Sequence, residues 1–211
     1  MDSQPPTEEP SSSRKLDPDV FTILATGFEL GMVPLAWFVA WSWTGPNIPT
    51  ARWSIGSLLV GVAATIPPIL VFGILTFTRV RNIPSVASIR ERVQEILGDT
   101  IARLQTWQMA LISLGAGVGE EVLFRGTLVP RLGDGIIGIC LAGVLFGVLH
   151  WITPLYAVLA AIFGVFLGWL FLVTDNLFVP IVVHALYDLV ALISLRRELR
   201  KDGLPSNIEK G

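Results

Sequence analysis

Runs of about twenty apolar residues, parted by short charged or proline-bearing connections, constrain this chain more than any other feature. A bilayer's hydrocarbon core is about 30 Å thick and takes roughly 20 residues of α-helix to cross. Backbone polar groups in lipid must be satisfied within the spanning segment, so such runs fold as helices. Six runs are present, at roughly 20–43, 54–78, 104–131, 135–152, 155–174 and 177–195. With 52% hydrophobic and 15% charged residues, the chain is more apolar than soluble domains usually are. The expected fold is an all-α integral membrane protein with about six transmembrane helices.

The connections divide the chain further. Residues 1–19 are rich in Pro, Ser and acidic groups and lack the basic-then-apolar order of a leader, so a disordered tail is expected there. The membrane domain is placed at 20–195 and a basic tail at 196–211. Between the second and third runs, Val86, Ile89, Val93, Ile96 and Leu97 keep a helical period opposite Arg90, Glu91, Arg92 and Glu95. That pattern fits an interfacial amphipathic helix or an exposed loop helix. Lys and Arg collect on one side: Arg14, Lys15, Arg79, Arg81, Arg90, Arg92 and Arg103, then Arg196, Arg197, Arg200, Lys201 and Lys210, against Arg52 and Arg131 opposite. With six spans this bias places both termini in the cytoplasm, as in a bacterial inner (cell) membrane.

A net charge of −2 and no Lys/Arg run interleaved with aromatics exclude a nucleic-acid partner. The single cysteine, Cys140, rules out an internal disulfide and is read as a small core residue. Glycines four apart at Gly27/Gly31, Gly115/Gly119, Gly143/Gly147 and Gly164/Gly168 allow close helix packing, and such faces could also carry an oligomer.

Charges inside the runs are the informative residues, because each costs at least roughly 2.5–3.5 kcal/mol at mid-membrane. The third run holds Glu120, Glu121 and Arg125. Glu121 and Arg125, one turn apart, can form a compensated ion pair. Both histidines of the chain, His150 and His184, fall in apolar runs, and His184 shares a helix face with Asp188. Rise per residue puts Glu120 about 17 Å, His150 about 22 Å, His184 about 10 Å and Asp188 about 16 Å from the outer ends of their spans. One polar cavity walled by three helices follows, provided the third helix continues past Arg125 towards Arg131. Glu29 is a further embedded carboxylate, assigned to the cheaper cytoplasmic end of the first run. The bland reading leaves the ion pair to helix packing and each histidine as a hydrogen-bonded core residue.

In this pattern the chain resembles the CPBP family, which includes type II CAAX prenyl endopeptidases and bacteriocin-immunity or abortive-infection (Abi) proteins. Its EExxxR motif is matched by Glu120, Glu121 and Arg125, its FxxxH motif by Phe146 and His150, and its HxxxN/D motif by His184 and Asp188. The resemblance covers roughly 104–195. It implies a glutamate-dependent intramembrane endopeptidase acting on a membrane-associated protein or peptide, prenylated or not, with no cofactor. It further implies that Glu120 and His150 polarise a water while His184 and residue 188 stabilise the oxyanion. Position 188 is Asp where the prenyl endopeptidases look to have Asn, so it would have to be protonated to donate, or else orient His184. Two other readings stay open: a zinc site of Glu120, His150 and His184, and a non-catalytic immunity or scaffold protein that binds without cutting. The aspartyl GxGD and rhomboid GxSG signatures are missing, Asp134 standing after Leu132 and Gly133.

Overall fold

The computed structural model describes residues 16–43, 48–133, 135–201 and 203. Most of the expected N-terminal tail, the stretch beyond residue 203 and Asp134 lie outside the described residues. Every regular element among the described residues is helical: α1 Pro18–Trp43, α2 Ile55–Ala64, α3 Ile66–Phe77, α4 Pro84–Arg103, α5 Thr106–Leu123, α6 Val129–Leu132, α7 Ile136–Leu149, α8 Pro154–Thr174 and α9 Phe178–Lys201. A 3₁₀ turn, Arg79–Asn82, precedes α4, and a π turn, Phe124–Leu128, joins α5 to α6.

Helix boundaries differ from the expected ones at both ends of the chain. Pro18 and Asp19, read as tail, form the first turn of α1, where proline costs no hydrogen bond. Arg196 to Lys201, also read as tail, continue α9, where Arg196 and Arg200 donate to the carbonyls of Leu104 and Ala102. The second run is helical at Ile55–Phe77 with a joint at Thr65, because Pro67 and Pro68 lack the donors to continue the ladder.

Among the described residues, four helices are long and apolar enough to cross a membrane: Pro18–Trp43, Ile55–Phe77, Pro154–Thr174 and Phe178–Lys201. The fourth expected run forms a helix of 14 residues, about 21 Å long. The third is helical from Thr106 to Leu132, as the depth argument required. Polarity is distributed opposite to that of a soluble protein. Arg125, Gln108, Glu121 and Thr127 rank among the largest fully buried side chains, whereas Phe28, Phe38, Leu59 and Ile162 lie exposed. Water would not tolerate so much bare apolar surface, and lipid does. The chain is an integral membrane protein.

The two ends of the bundle hold different charges. At one end Arg103 donates to Leu16 O, Arg196 to Leu104 O and Arg200 to Ala102 O, tying α1, α4, α5 and α9 together. Ile101, Leu104, Met109 and Leu199 form an apolar cluster beside them. At the other end Arg52 bonds Asp175, Asn176 and the Arg52 backbone exchange two 2.8 Å hydrogen bonds, and Arg131 donates to Ala40 O.

Two expectations change here. The α4 helix turns Val86, Ile89, Val93 and Leu97 towards an internal cavity instead of presenting its apolar face only to lipid or solvent. Cys140 is exposed rather than buried, and the packed face of α7 is made by Ile139, Ala142, Gly143, Phe146 and Gly147.

Glycine packing is real for three of the four pairs. A Cβ on Gly119 would collide with the backbone carbonyl of Glu29, one on Gly147 with Ala157 O, and one on Gly164 would come 3.1 Å from Gly143 Cα. Gly27 and Gly31 face open space. Gly119→Ala should therefore lose about 1–3 kcal/mol by overpacking, lowering the detergent melting temperature by several degrees, while Gly27→Ala leaves it within error.

Candidate active site

The GAGVGEE segment of α5 builds the site through what its small residues admit. Gly119 lets α1 approach on one side, and on the other a Cβ at Gly117 would sit 3.0 Å from both Ala185 Cβ and Ile181 O of α9. With both neighbours this close, His184 on α9 meets the two glutamates of α5.

Beyond Glu121 the ladder widens into the π turn, whose last bond runs from Val129 N–H to Phe124 O. Such turns recur at functional sites. Here it holds Arg125, 1% exposed, facing back along the helix. Its Nη1 donates to Glu121 Oε1 at 2.6 Å and its Nη2 to Gly164 O at 2.7 Å. The guanidinium also lies over the Phe146 ring, 5.1 Å from its centre. Gly164 permits that approach, since a Cβ there would lie 3.4 Å from Nη2.

Glu121 Oε1 serves a second donor. His184 Nδ1 lies 2.8 Å away, and a carboxylate oxygen already bonded to arginine accepts, so Nδ1 carries the proton. Nε2 of His184 is thereby presented to Glu120 Oε2 at 3.8 Å and Asp188 Oδ2 at 3.5 Å. The tautomer is fixed by Glu121, not by Asp188.

His150 is fixed by a parallel device. At the end of α7 its Nδ1–H donates to Phe146 O at 2.8 Å, and its ring stacks on the Phe146 ring with centroids 4.2 Å apart. The Phe146 and His150 spacing is thus mechanical, one turn giving both the carbonyl and the stacking surface. Nε2 of His150 points to Glu120 Oε1 at 3.6 Å. Each oxygen of Glu120 faces one imidazole, at separations beyond a direct hydrogen bond and suited to one intervening atom.

These groups open on a cavity of about 490 Å³. Glu120, His150, His184 and Asp188 are in its wall, Glu121 and Arg125 behind it, and most of the remaining lining is apolar. The structure thus brings all six sequence-derived site residues into one cluster. Glu29 also lines the cavity, its backbone packed on Gly119, so it stands beside Glu120 rather than near the end of its run. Counting nine residues into its run, about 14 Å, would have placed it there. Tyr156 and Tyr187 complete the polar wall. Tyr156, at the start of its run, carried no sequence signal. Among the described residues, no group of three or more His, Cys, Asp or Glu is disposed to hold a metal ion.

Residues 102–190 match the family model of the Rce1-like proteins, described as type II CAAX prenyl endopeptidase Rce1-like. All three motifs fall within that segment, and the matched family is a protease family. Searches of the curated proteins and of the solved structures found no match.

Arg125→Met leaves Glu121 buried without its charge partner, which costs about 3–5 kcal/mol. Thermal unfolding in detergent should show a large loss for Arg125→Met and a smaller one for the double variant Arg125→Met/Glu121→Leu, which removes both charges.

Proposed function

We propose, on the premise that residues 102–190 are an Rce1-like protease segment, that this protein is an intramembrane endopeptidase. It cleaves a peptide bond near the C-terminus of a membrane-associated protein or peptide, prenylated or not. The observation that carries this reading is the convergence of both Nε2 atoms on the two oxygens of a nearly buried Glu120, at 3.6 and 3.8 Å, in the wall of the cavity.

In the proposed reaction a water bridges Glu120 and His150. Its oxygen bonds to the scissile carbonyl carbon as Glu120 takes its proton, with His150 Nε2 sharing that proton. Negative charge collects on the former carbonyl oxygen, which faces His184. A second proton, on Nε2, lets that ring donate to the oxyanion, and Glu121 and Asp188 on either side compensate the ring's charge. When the C–N bond breaks, the proton held by Glu120 passes to the leaving amine, giving a carboxylic acid and an amine. The acid's remaining proton then passes to the amine, leaving a carboxylate and an ammonium group. Arg125 holds Glu121, and so the ring, in place without touching substrate.

The site residues work in a bundle that we place in the bacterial inner membrane with six crossings, the short α7 and the charged α5–α6 helix included, and both termini in the cytoplasm. The excess of basic residues at the end that holds Arg103, Arg196 and Arg200, against Arg52 and Arg131 at the other, supports that orientation. No cofactor is invoked. The zinc reading draws on the same two Nε2 atoms, and metal analysis of purified protein with activity before and after chelation separates the two: bound zinc with chelator-sensitive cleavage would replace the carboxylate mechanism.

Glu120→Gln keeps the shape and removes the base, and should lower cleavage at least about 100-fold with an unchanged melting profile. Comparative analysis of membrane peptides from cells with active and Gln-substituted protein then identifies the substrate by its new termini. Full biological activity in that variant would instead make the protein a binder or immunity factor.

A further inference from the structure

One carboxylate in the cavity wall takes no part in the proposed reaction. Glu29 of α1 lines the cavity together with Glu120, yet it lies outside residues 102–190 matched by the family model. The other carboxylates of the wall each face a basic group: Glu120 faces His150 and His184, Asp188 faces His184, and Glu198 faces Arg81 and Arg90. Among the described residues no basic group lies within ion-pair distance of Glu29, and its Oε2 is buried without a hydrogen-bond partner. An uncompensated carboxylate is expensive inside a membrane, and helix packing alone gives no reason for one.

The backbone holds Glu29 at the catalytic cluster. A Cβ on Gly119 would lie 3.5 Å from Glu29 Cα, and one on Gly115 would lie 3.4 Å from Glu29 Cβ. Glu120 directly follows Gly119, so the Cα atoms of Glu29 and Glu120 are within about 9 Å of each other. Two glutamate side chains that enter one cavity at that spacing can both reach a single peptide group. The bare surface of α5 at Gly115 and Gly119 gives the Glu29 side chain its room.

In the proposed reaction the carbonyl end of the scissile bond meets the water, Glu120 and His184, but no group named so far receives the nitrogen. That nitrogen enters as an N–H donor in a mostly apolar cavity and leaves as an ammonium, and both forms need an acceptor there. Resting on the endopeptidase reading, we propose that Glu29 receives the leaving nitrogen of the substrate. Its carboxylate accepts from the scissile N–H in the bound peptide. After the C–N bond has broken and the protons have moved as described, the same carboxylate pairs with the new ammonium group. No further bond is made or broken. Glu120 and Glu29 divide the peptide bond between them, one serving its carbon and the other its nitrogen.

The test uses the full chain in nanodiscs and a farnesylated CAAX peptide made in two forms, one with the scissile amide and one with the matching ester, which has no N–H. Glu29→Gln should lower kcat/KM for the amide about 10–100-fold and for the ester less than about twofold. Because the variant removes an uncompensated carboxylate, its melting temperature in detergent should hold or rise. A merely structural role would slow amide and ester alike. Equal loss on the two substrates, or no loss on either, overturns the proposal. If wild type cuts neither form, the endopeptidase reading fails separately for such a peptide, and product binding decides the nitrogen site. Calorimetric titration then compares an aliphatic tripeptide bearing a free or an acetylated amine, on wild type and on Glu29→Gln. A preference for the free amine that Glu29→Gln abolishes supports the proposal, and equal binding of the two forms, or a preference that the variant keeps, overturns it.

Discussion

One oxygen of Glu121 holds this site together. It accepts from Arg125 at 2.6 Å and from His184 at 2.8 Å, so one buried carboxylate joins the α5–α6 helix to α9, while Arg125 carries the link on to α8 through Gly164 O. In a medium without water a carboxylate with two charge-assisted donors is stable where a lone one is not. Remove it and the arginine loses its counter-charge, the histidine its tautomer, and three helices their common point.

The glycine pattern exists to permit that junction. Without side chains at Gly117 and Gly119, α9 and α1 come within backbone contact of α5. Only then can Glu120 meet two imidazoles while Glu121, the next residue, points into the protein behind it. Adjacent residues on a helix diverge by about 100°, so a paired glutamate motif needs two environments, a cavity and a packed interface. The structure supplies both.

Much of this was legible in the sequence. Apolar runs give helix positions because the bilayer fixes their length, and the four-residue spacings of Glu121 with Arg125 and of Phe146 with His150 correspond to real contacts. What was not legible depends on which helices become neighbours. Position in its run makes Glu29 look like an end-of-span carboxylate although it packs on Gly119, periodicity makes α4 look like a surface helix although its apolar residues wall the cavity, and composition makes Cys140 look like a core residue although it is exposed. Periodicity reports that a residue has a face, not what the face meets. The partner of His184 shows the same limit: the nearby i,i+4 residue Asp188 suggested itself, and the tautomer is set by Glu121, 63 positions away.

The π turn at Phe124–Leu128 gives the long third helix two independent phases. Before it, the helix face is dictated by Glu120 and Glu121. After it, Arg131 bonds Thr127 O and Ala40 O, securing the helix to α1 at the opposite end of the bundle. A regular α-helix would force these two registers to agree, since each residue turns the face by a fixed angle. The wider turn absorbs the difference, so the anchoring end can drift through substitution over evolutionary time without rotating the catalytic glutamates out of line.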